Sequence, residues 1–168
     1  MNKEILKSSM DWDEFFMRHV YLCAQKSKDP RTKISAILVK DNIIISEGFN
    51  GFARGVKDFK ERYYDRDTKL TFICHGEFNS VLNAARNGIS TLNSICYTQG
   101  ISCINCTKTL IQAGIKELVV HHQWPTSEKW VKEAEISKIM FYEAGINIRY
   151  FDKILNLVGY SNDKKVHI

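Results

Sequence analysis

The sequence predicts an α/β domain with a central mixed sheet of five strands and helices on both faces. Three observations predict it. Short β-branched runs alternate with helical runs in the order helix, strand, strand, helix, strand, helix, strand, helix, strand, the pattern of a layered α/β fold. Gly88, Gly114 and Gly145 each follow a helical run at the place where a helix C-terminus favours glycine. Two helix starts, at residues 75 and 103, follow loops at strand ends, where such folds place their ligands.

Taken in order, residues 11–27 read as a helix capped by Asp11 or Asp13, with acidic residues in its first turn. Phe15, Met17, Val20, Leu22 and Ala24 supply apolar surface without forming one clean stripe. Pro30 pushes Asp29 out of helical geometry and ends the run. Strands over 34–40 and 43–49 flank Asp41-Asn42, a two-residue hairpin turn. Gly48-Phe49-Asn50-Gly51 is either an ordinary turn or tight backbone beside a pocket. Residues 52–73 are charged and aromatic without a period, which reads as a long loop. The plain reading is a solvated surface loop or short helix, and the functional one is a phosphate or nucleotide clamp.

A helix over 75–87 presents Phe78, Val81, Leu82 and Ala85 at helical spacing. Next come a strand over 95–98, a helix over 103–113 and a strand over 116–121. A helix over 127–144 follows, capped by Ser127 with Glu128 in its first turn, and then a strand over 146–151. The tail, 152–168, reads as a short helix and loose polar residues. We expect one domain over 1–168 with its core in 11–151.

Composition narrows the function classes. Hydrophobic residues at 44% and charged residues at 26% are ordinary for a globular chain. No apolar run approaches a membrane span, and the first residues lack a signal-peptide core. A cytoplasmic location is expected. Five cysteines, an odd number, argue against a disulfide framework, and Cys23, Cys74 and Cys96 read as small buried residues. The net charge of +5 is compatible with a phosphorylated substrate or with nucleic acid and decides neither, while the absence of a long basic run argues against nucleic acid.

The chemistry concentrates in His75-Gly76-Glu77 and Cys103-Ile104-Asn105-Cys106. One His and two Cys are ligands that suit zinc, and three protein ligands leave a fourth position for water. Glu77, two positions from a ligand, is placed to handle the protons of that water. A lone Cys-x-x-Cys is often a redox pair or part of a structural zinc site. In this order, with a helix after each, the two motifs match the pattern of zinc-dependent nucleobase deaminases.

The chain resembles the deoxycytidylate (dCMP) deaminases within the cytidine deaminase-like superfamily. The resemblance rests on W-D-E-F-F-M at 12–17, S-K-D-P-R-T-K-I at 27–34, G-F-N-G-F-A-R-G at 48–55, H-G-E-F-N-S-V-L-N-A at 75–84 and C-I-N-C-T-K-T-L-I-Q-A-G-I-K at 103–116. It implies a three-layer α/β/α cytidine deaminase-like domain that hydrolyses dCMP to dUMP and ammonia. It also implies zinc on His75, Cys103 and Cys106, with Glu77 as the catalytic acid and base. A homo-oligomer, commonly a hexamer, and dCTP and dTTP as effectors come with it. Asn50 would contact the sugar. Ile34, Lys33 and Arg54, in the matching segments, and Arg62, in the basic run after them, are further substrate-binding candidates. His121, His122 and Trp124 could wall the pocket, although surface or core is the plainer reading. The chain departs from the family at Ser35 (usually Gly), Ala53 (usually Pro), Gly76 (usually Ala) and Ser102 (usually Pro). Gln99-Gly100 is unusual as well. These positions bear on the substrate. The rival readings are therefore cytosine, deoxycytidine, modified dCMP or tRNA adenosine as substrate, or a zinc-bound nucleotide sensor without catalysis.

Overall fold

A computed structural model describes residues 8–125 and 128–168. Helix α1 (Trp12–Ala24) starts at Asp11, whose Oδ1 accepts the Glu14 amide at 2.8 Å. Its buried face is Phe16, Met17, Val20, Tyr21, Cys23 and Ala24. Phe15 and Leu22, expected to help cover the core, are exposed, because the helix turns its Phe16–Val20 side to the sheet.

Strands β1 (Ser35–Lys40) and β2 (Ile43–Phe49) form the expected hairpin. Asp41 and Asn42 both take positive φ, 51° and 59°, as a type I′ turn requires.

The stretch read as a loop or a short helix holds two short helices between two short strands. Two-residue strands β3 (Gly51–Phe52) and β4 (Ile73–Cys74) pair with each other and bracket helices α2 (Lys60–Tyr64) and α3 (Arg66–Phe72). Both helices are too short to hold themselves in water, so tertiary contacts hold them. Phe52 stacks on Tyr63 with ring centroids 4.3 Å apart, and the Tyr63 hydroxyl donates to Asp58.

Helix α4 (Gly76–Arg86), strand β5 (Ile95–Thr98), helix α5 (Ile104–Gln112), strand β6 (Glu117–His121), helix α6 (Glu128–Glu143) and strand β7 (Asn147–Phe151) follow the predicted order. Ser127, the expected cap of α6, lies outside the described residues.

The tail departs from expectation. Strands β8 (Val158–Ser161) and β9 (Lys164–His167) form a second hairpin around Asn162 and Asp163, both at positive φ. Asn-Asp between two short strands is turn chemistry of the same kind as Asp41-Asn42.

The five-stranded sheet runs β2-β1-β5-β6-β7. The β2, β1 and β5 neighbours are antiparallel, and β5, β6 and β7 are parallel, so the sheet is mixed. Period-2 alternation along β1 splits the core. Ile37 and Val39 point to α1 and the tail, where Leu155 and Ile168 join the cluster. Ala36 and Leu38 point to the opposite layer, which holds Ala84 of α4, Leu110 of α5 and Phe141 of α6. Three α/β/α layers result, as the sequence predicts.

Close approach of α4 to the β1–β2 hairpin needs two glycines. A Cβ on Gly48 would sit 2.3 Å from the Ser80 amide nitrogen. One on Gly76 would sit 2.7 Å from the Ser35 Cα. Both distances are shorter than side-chain carbons tolerate, so the helix start is pinned to the sheet at the residue between His75 and Glu77.

Candidate active site

The two chemical motifs occupy matching places. His75 is the N-cap residue of α4 and Cys103 the N-cap residue of α5. Glu77 and Cys106 fall in the first turns that follow. A helix N-terminus carries partial positive charge, which favours anionic groups there. The fold brings His75, Cys103 and Cys106 together, with one ligand atom from each all within 4.8 Å of one another. His75 Nδ1 lies 3.3 Å from Cys103 Sγ. Two ligands bound about 2.0–2.3 Å from one tetrahedral ion stand roughly 3.5 Å apart, so this donor set fits zinc in both chemistry and spacing. Cys74 is not in the cluster.

The cluster is electrostatically coupled. The Cys103 thiol is held down to about 4, first by its bond with the Cys106 thiol and then by the His75 imidazole. The same bond, with burial, pushes the Cys106 thiol up. The Cys103 partnership raises His75 to about 8. The downward direction at Cys103 favours its thiolate, the form that binds metal. Glu77 is buried, and that burial raises its carboxyl above the ordinary range. Cys96 lies in the second core cluster and its thiol is pushed well up by burial, so it is inert packing.

One cavity opens onto this cluster, and His75, Glu77, Ser102 and Cys103 form part of its wall. Ser102 Oγ is buried and has no hydrogen-bond partner among the described residues. Asn50 and Ile34 line the cavity as well. Asn50 is heavily committed. Its Nδ2 donates to Thr32 O and Asp29 Oδ2, and its Oδ1 accepts the Ile34 amide at 2.9 Å. Both amide hydrogens are used, which leaves one Oδ1 lone pair to face a ligand.

Asp29 is the hub beneath it. Only 1% exposed, it accepts the Arg31 and Thr32 amides, Asn50 Nδ2, and Lys69 Nζ at 2.5 Å. Lys69 comes from α3, so the segment expected to be a loop is tied to the site by a buried ion pair.

The basic candidates fall differently from expectation. Arg54, Arg62 and Lys33 do not line the cavity. Arg54 donates to Asn83 on α4. Arg62 stacks over Phe59 and Phe72 and donates to Lys57 O. Lys33 Nζ donates to Ser27 O. In each case a nearer partner takes the side chain. The cations on the cavity wall are Arg31, Arg66 and Lys69.

Trp124 does wall the cavity, seated between two glycines. A Cβ on Gly100 would meet its ring at 2.9 Å and one on Gly159 at 2.8 Å. The unusual Gly100 is therefore the space that this tryptophan fills. His121 is core, with Nδ1 2.7 Å from the Tyr21 hydroxyl and Nε2 3.0 Å from Lys153 O. The carbonyl can only accept, so Nε2 carries the proton and Nδ1 accepts from tyrosine. His122 does not line the cavity. Trp130 and Glu133 of α6 and Ser161 and Asn162 of the tail hairpin complete the wall. None of these four stands out in the sequence, because only the folding of distant segments brings them to the cavity.

A family model described as "Cytidine and deoxycytidylate deaminase zinc-binding region" matches residues 10–122. Deoxycytidylate deaminase of Homo sapiens is 33% identical over 150 residues, covering 84% of this chain and 80% of its own. ComE operon protein 2 of Bacillus subtilis (strain 168) is 28% identical over 158 residues, covering 94% and 80%. Among solved structures, dCMP deaminase from the cyanophage S-TIM5 in complex with dCMP and dUMP superposes with a TM-score of 0.67 at 22% identity, covering 83% of this chain and 96% of that one. At that identity the likeness speaks to the fold.

Proposed function

Because the chain belongs to the cytidine and deoxycytidylate deaminase family, we propose that it hydrolyses dCMP to dUMP and ammonia as a zinc-dependent enzyme. The observation that carries this reading is the meeting of a His-Cys-Cys cluster, a buried Glu77 and two arginines on the wall of one cavity. His75, Cys103 and Cys106 would hold the zinc. The chemistry zinc supplies when bound is a nucleophilic water at neutral pH, through a drop in that water's pKa to about 7.

Glu77 moves the protons. It accepts one from the attacking water and delivers it to ring N3 as the water oxygen bonds to C4. It then takes the second proton from the new C4 hydroxyl and passes it to the departing amine, and the C4–N bond breaks to release ammonia and leave the C4 carbonyl. One carboxylate serves as base and then as acid, so it must reach both water and ring. Its place in the first turn of α4, pinned against β1 by Gly76, supports that role.

Asn50 accepts a sugar hydroxyl with its remaining lone pair. Arg31 and Arg66 supply the directed positive charge that a 5′-phosphate needs. Lys69, tied to Asp29, holds the Asn50 loop rather than the substrate. Trp124 shields the ring from solvent.

A homo-oligomer goes with this reading, a hexamer by resemblance, and the exposed apolar residues of α6, with Ile139 at 57% and Tyr142 at 84% exposure, offer surface for it. Regulation by dCTP and dTTP belongs to the same proposal. So does a cytoplasmic location, which the free state of all five cysteines supports. No helix among the described residues is long and apolar enough to cross a membrane.

The test is ammonia release from dCMP, dCTP, deoxycytidine, cytidine, cytosine and 5-hydroxymethyl-dCMP by zinc-loaded protein. We expect the highest kcat/KM on dCMP. Preference for deoxycytidine or cytosine would overturn the nucleotide assignment, and no turnover of any of them would leave the sensor reading.

A further inference from the structure

The tail hairpin lies beyond residue 122, where the family match ends, yet it forms part of the cavity wall. Its turn is bound to the segment that carries Arg31. The Lys33 amide donates to Tyr160 O and the Asp163 amide donates to Arg31 O. The Asn162 amide donates to Thr32 Oγ1 at 3.0 Å. Two backbone bonds and one side-chain bond thus tie the hairpin to residues 31–33. The Asp163 carboxylate then reaches the guanidinium, with Arg31 Nε donating to Asp163 Oδ2 at 2.8 Å.

That last contact has a direction. Asp163 engages the Nε side of the guanidinium, and no other side-chain bond of Arg31 is found among the described residues. The two Nη groups remain, and Arg31 lines the cavity. A guanidinium gripped at Nε presents its other edge as a fork, the geometry that binds two phosphate oxygens at once.

We propose that Asp163 is a positioning residue, which makes the tail hairpin part of the substrate-binding machinery by orienting Arg31 toward the 5′-phosphate of a deoxynucleoside monophosphate. This rests on the nucleotide reading above. The physical gain is preorganisation. A long arginine side chain fixed before binding loses less freedom when the phosphate arrives. A carboxylate beside a phosphate site also repels the phosphate, so the proposal requires that orientation outweigh repulsion. The two effects give KM changes of opposite sign when the charge is removed.

The test is Asp163→Asn in the full-length, zinc-loaded protein. Asparagine tolerates the positive φ of this turn and keeps the size of the side chain, so the hairpin is retained. We expect KM for dCMP to rise about five- to tenfold, the scale of one lost charge-assisted contact, with kcat unchanged. Turnover of deoxycytidine, which has no phosphate, should not move. In an Arg31→Ala background the Asp163→Asn effect should vanish, because the carboxylate acts through that arginine. An unchanged or lowered KM for dCMP would overturn the proposal. So would equal loss on dCMP and deoxycytidine, or a full Asp163→Asn effect without Arg31. If Arg31→Ala leaves the preference for dCMP intact, this proposal falls while the enzyme's substrate stands. If the wild-type protein shows no such preference, the nucleotide reading falls and takes this one with it.

Discussion

Gly76 and Ser35 are two of the positions at which this chain departs from its family, and they touch. A Cβ at Gly76 would lie 2.7 Å from Ser35 Cα, 2.9 Å from Ser35 C and 3.1 Å from the Ala36 amide nitrogen. All three are backbone atoms of a central strand, so no side chain can swing aside. Ser35 in turn is tethered on the other face, where its Oγ donates to Val20 O at 2.5 Å. Gly76→Ala should therefore overpack. Such insertions cost about 1–3 kcal/mol, and the upper half applies where the obstacle is backbone. Replacing glycine in a helix returns at most about 1 kcal/mol. A net loss of about 2 kcal/mol, or roughly 4–8 °C in Tm for a chain of this size, is the expected result. Ser35→Gly alone loses a buried hydrogen bond, about 1 kcal/mol, and adds strand flexibility of about 0.5–1 kcal/mol. Without the serine side chain between β1 and α1, however, the strand can settle toward α1 and make room for the new methyl. The double variant, with the pair usual in the family, should then lose about 1–2 kcal/mol less than the sum of the singles. Urea unfolding of zinc-loaded proteins measures this. The single Gly76→Ala should also lower kcat tenfold or more, because the crowded residue sits between His75 and Glu77 and a 1 Å misplacement can cost about 100-fold. A stability-neutral Gly76→Ala, or a double variant equal to the sum within about 0.5 kcal/mol, would refute the steric reasoning.

Three further outcomes are expected. Glu77→Gln should keep its zinc by elemental analysis and its unfolding transition, while kcat falls by about 10²–10⁴ through the lost proton transfers; retention of most of the rate would mean that another group moves them. Lys69→Met removes the cation from Asp29, which is 1% exposed, and should destabilise the protein by about 3 kcal/mol, the low end for a broken buried pair because three other donors remain on that carboxylate. A loss below about 1 kcal/mol would show that the pair contributes no more than a surface ion pair. Burial lowers the His121 pKa below its ordinary 6.5, so the folded protein holds this ring neutral at a pH where the unfolded chain protonates it. Stability from His121 is complete above about 6.5 and is lost as pH falls below it toward the folded value. The Tm of His121→Phe should therefore fall less than that of the wild type between pH 7.5 and 5, and identical slopes would show that His121 does not contribute.

Short-range chemistry was legible in the sequence, and long-range pairing was not. The five sheet strands could be read because β-branched runs end at turn residues, and the larger helices because glycines stop them. His75 with Glu77, and Cys103 with Cys106, could be read because each pair sits within one helix turn, where sequence spacing is spatial proximity. The tail hairpin and the two helices between β3 and β4 were not legible, since they are short and held by tertiary contacts rather than by propensity. The basic residues show the limit most plainly. Six cations in 54–69 lie near the site along the chain, but chain distance does not say where a side chain points. Arg54 finds Asn83 and Arg62 finds two aromatic faces, both away from the cavity. Arg31 sits in a segment that the resemblance already marked, but its partner, Asp163, is 132 residues away. Lys69 was one charge among several until folding set it against Asp29. A cation acquires its role from the anion that orients it, and at this site both orienting anions, Asp29 and Asp163, reach their cations only across the tertiary fold. On the reading proposed above, the two pairs divide the substrate between them: Asp163 orients Arg31 for the phosphate, and Asp29 with Lys69 holds the Asn50 loop for the sugar, so changes at Asp163 would alter the phosphate preference and leave the deamination chemistry in place.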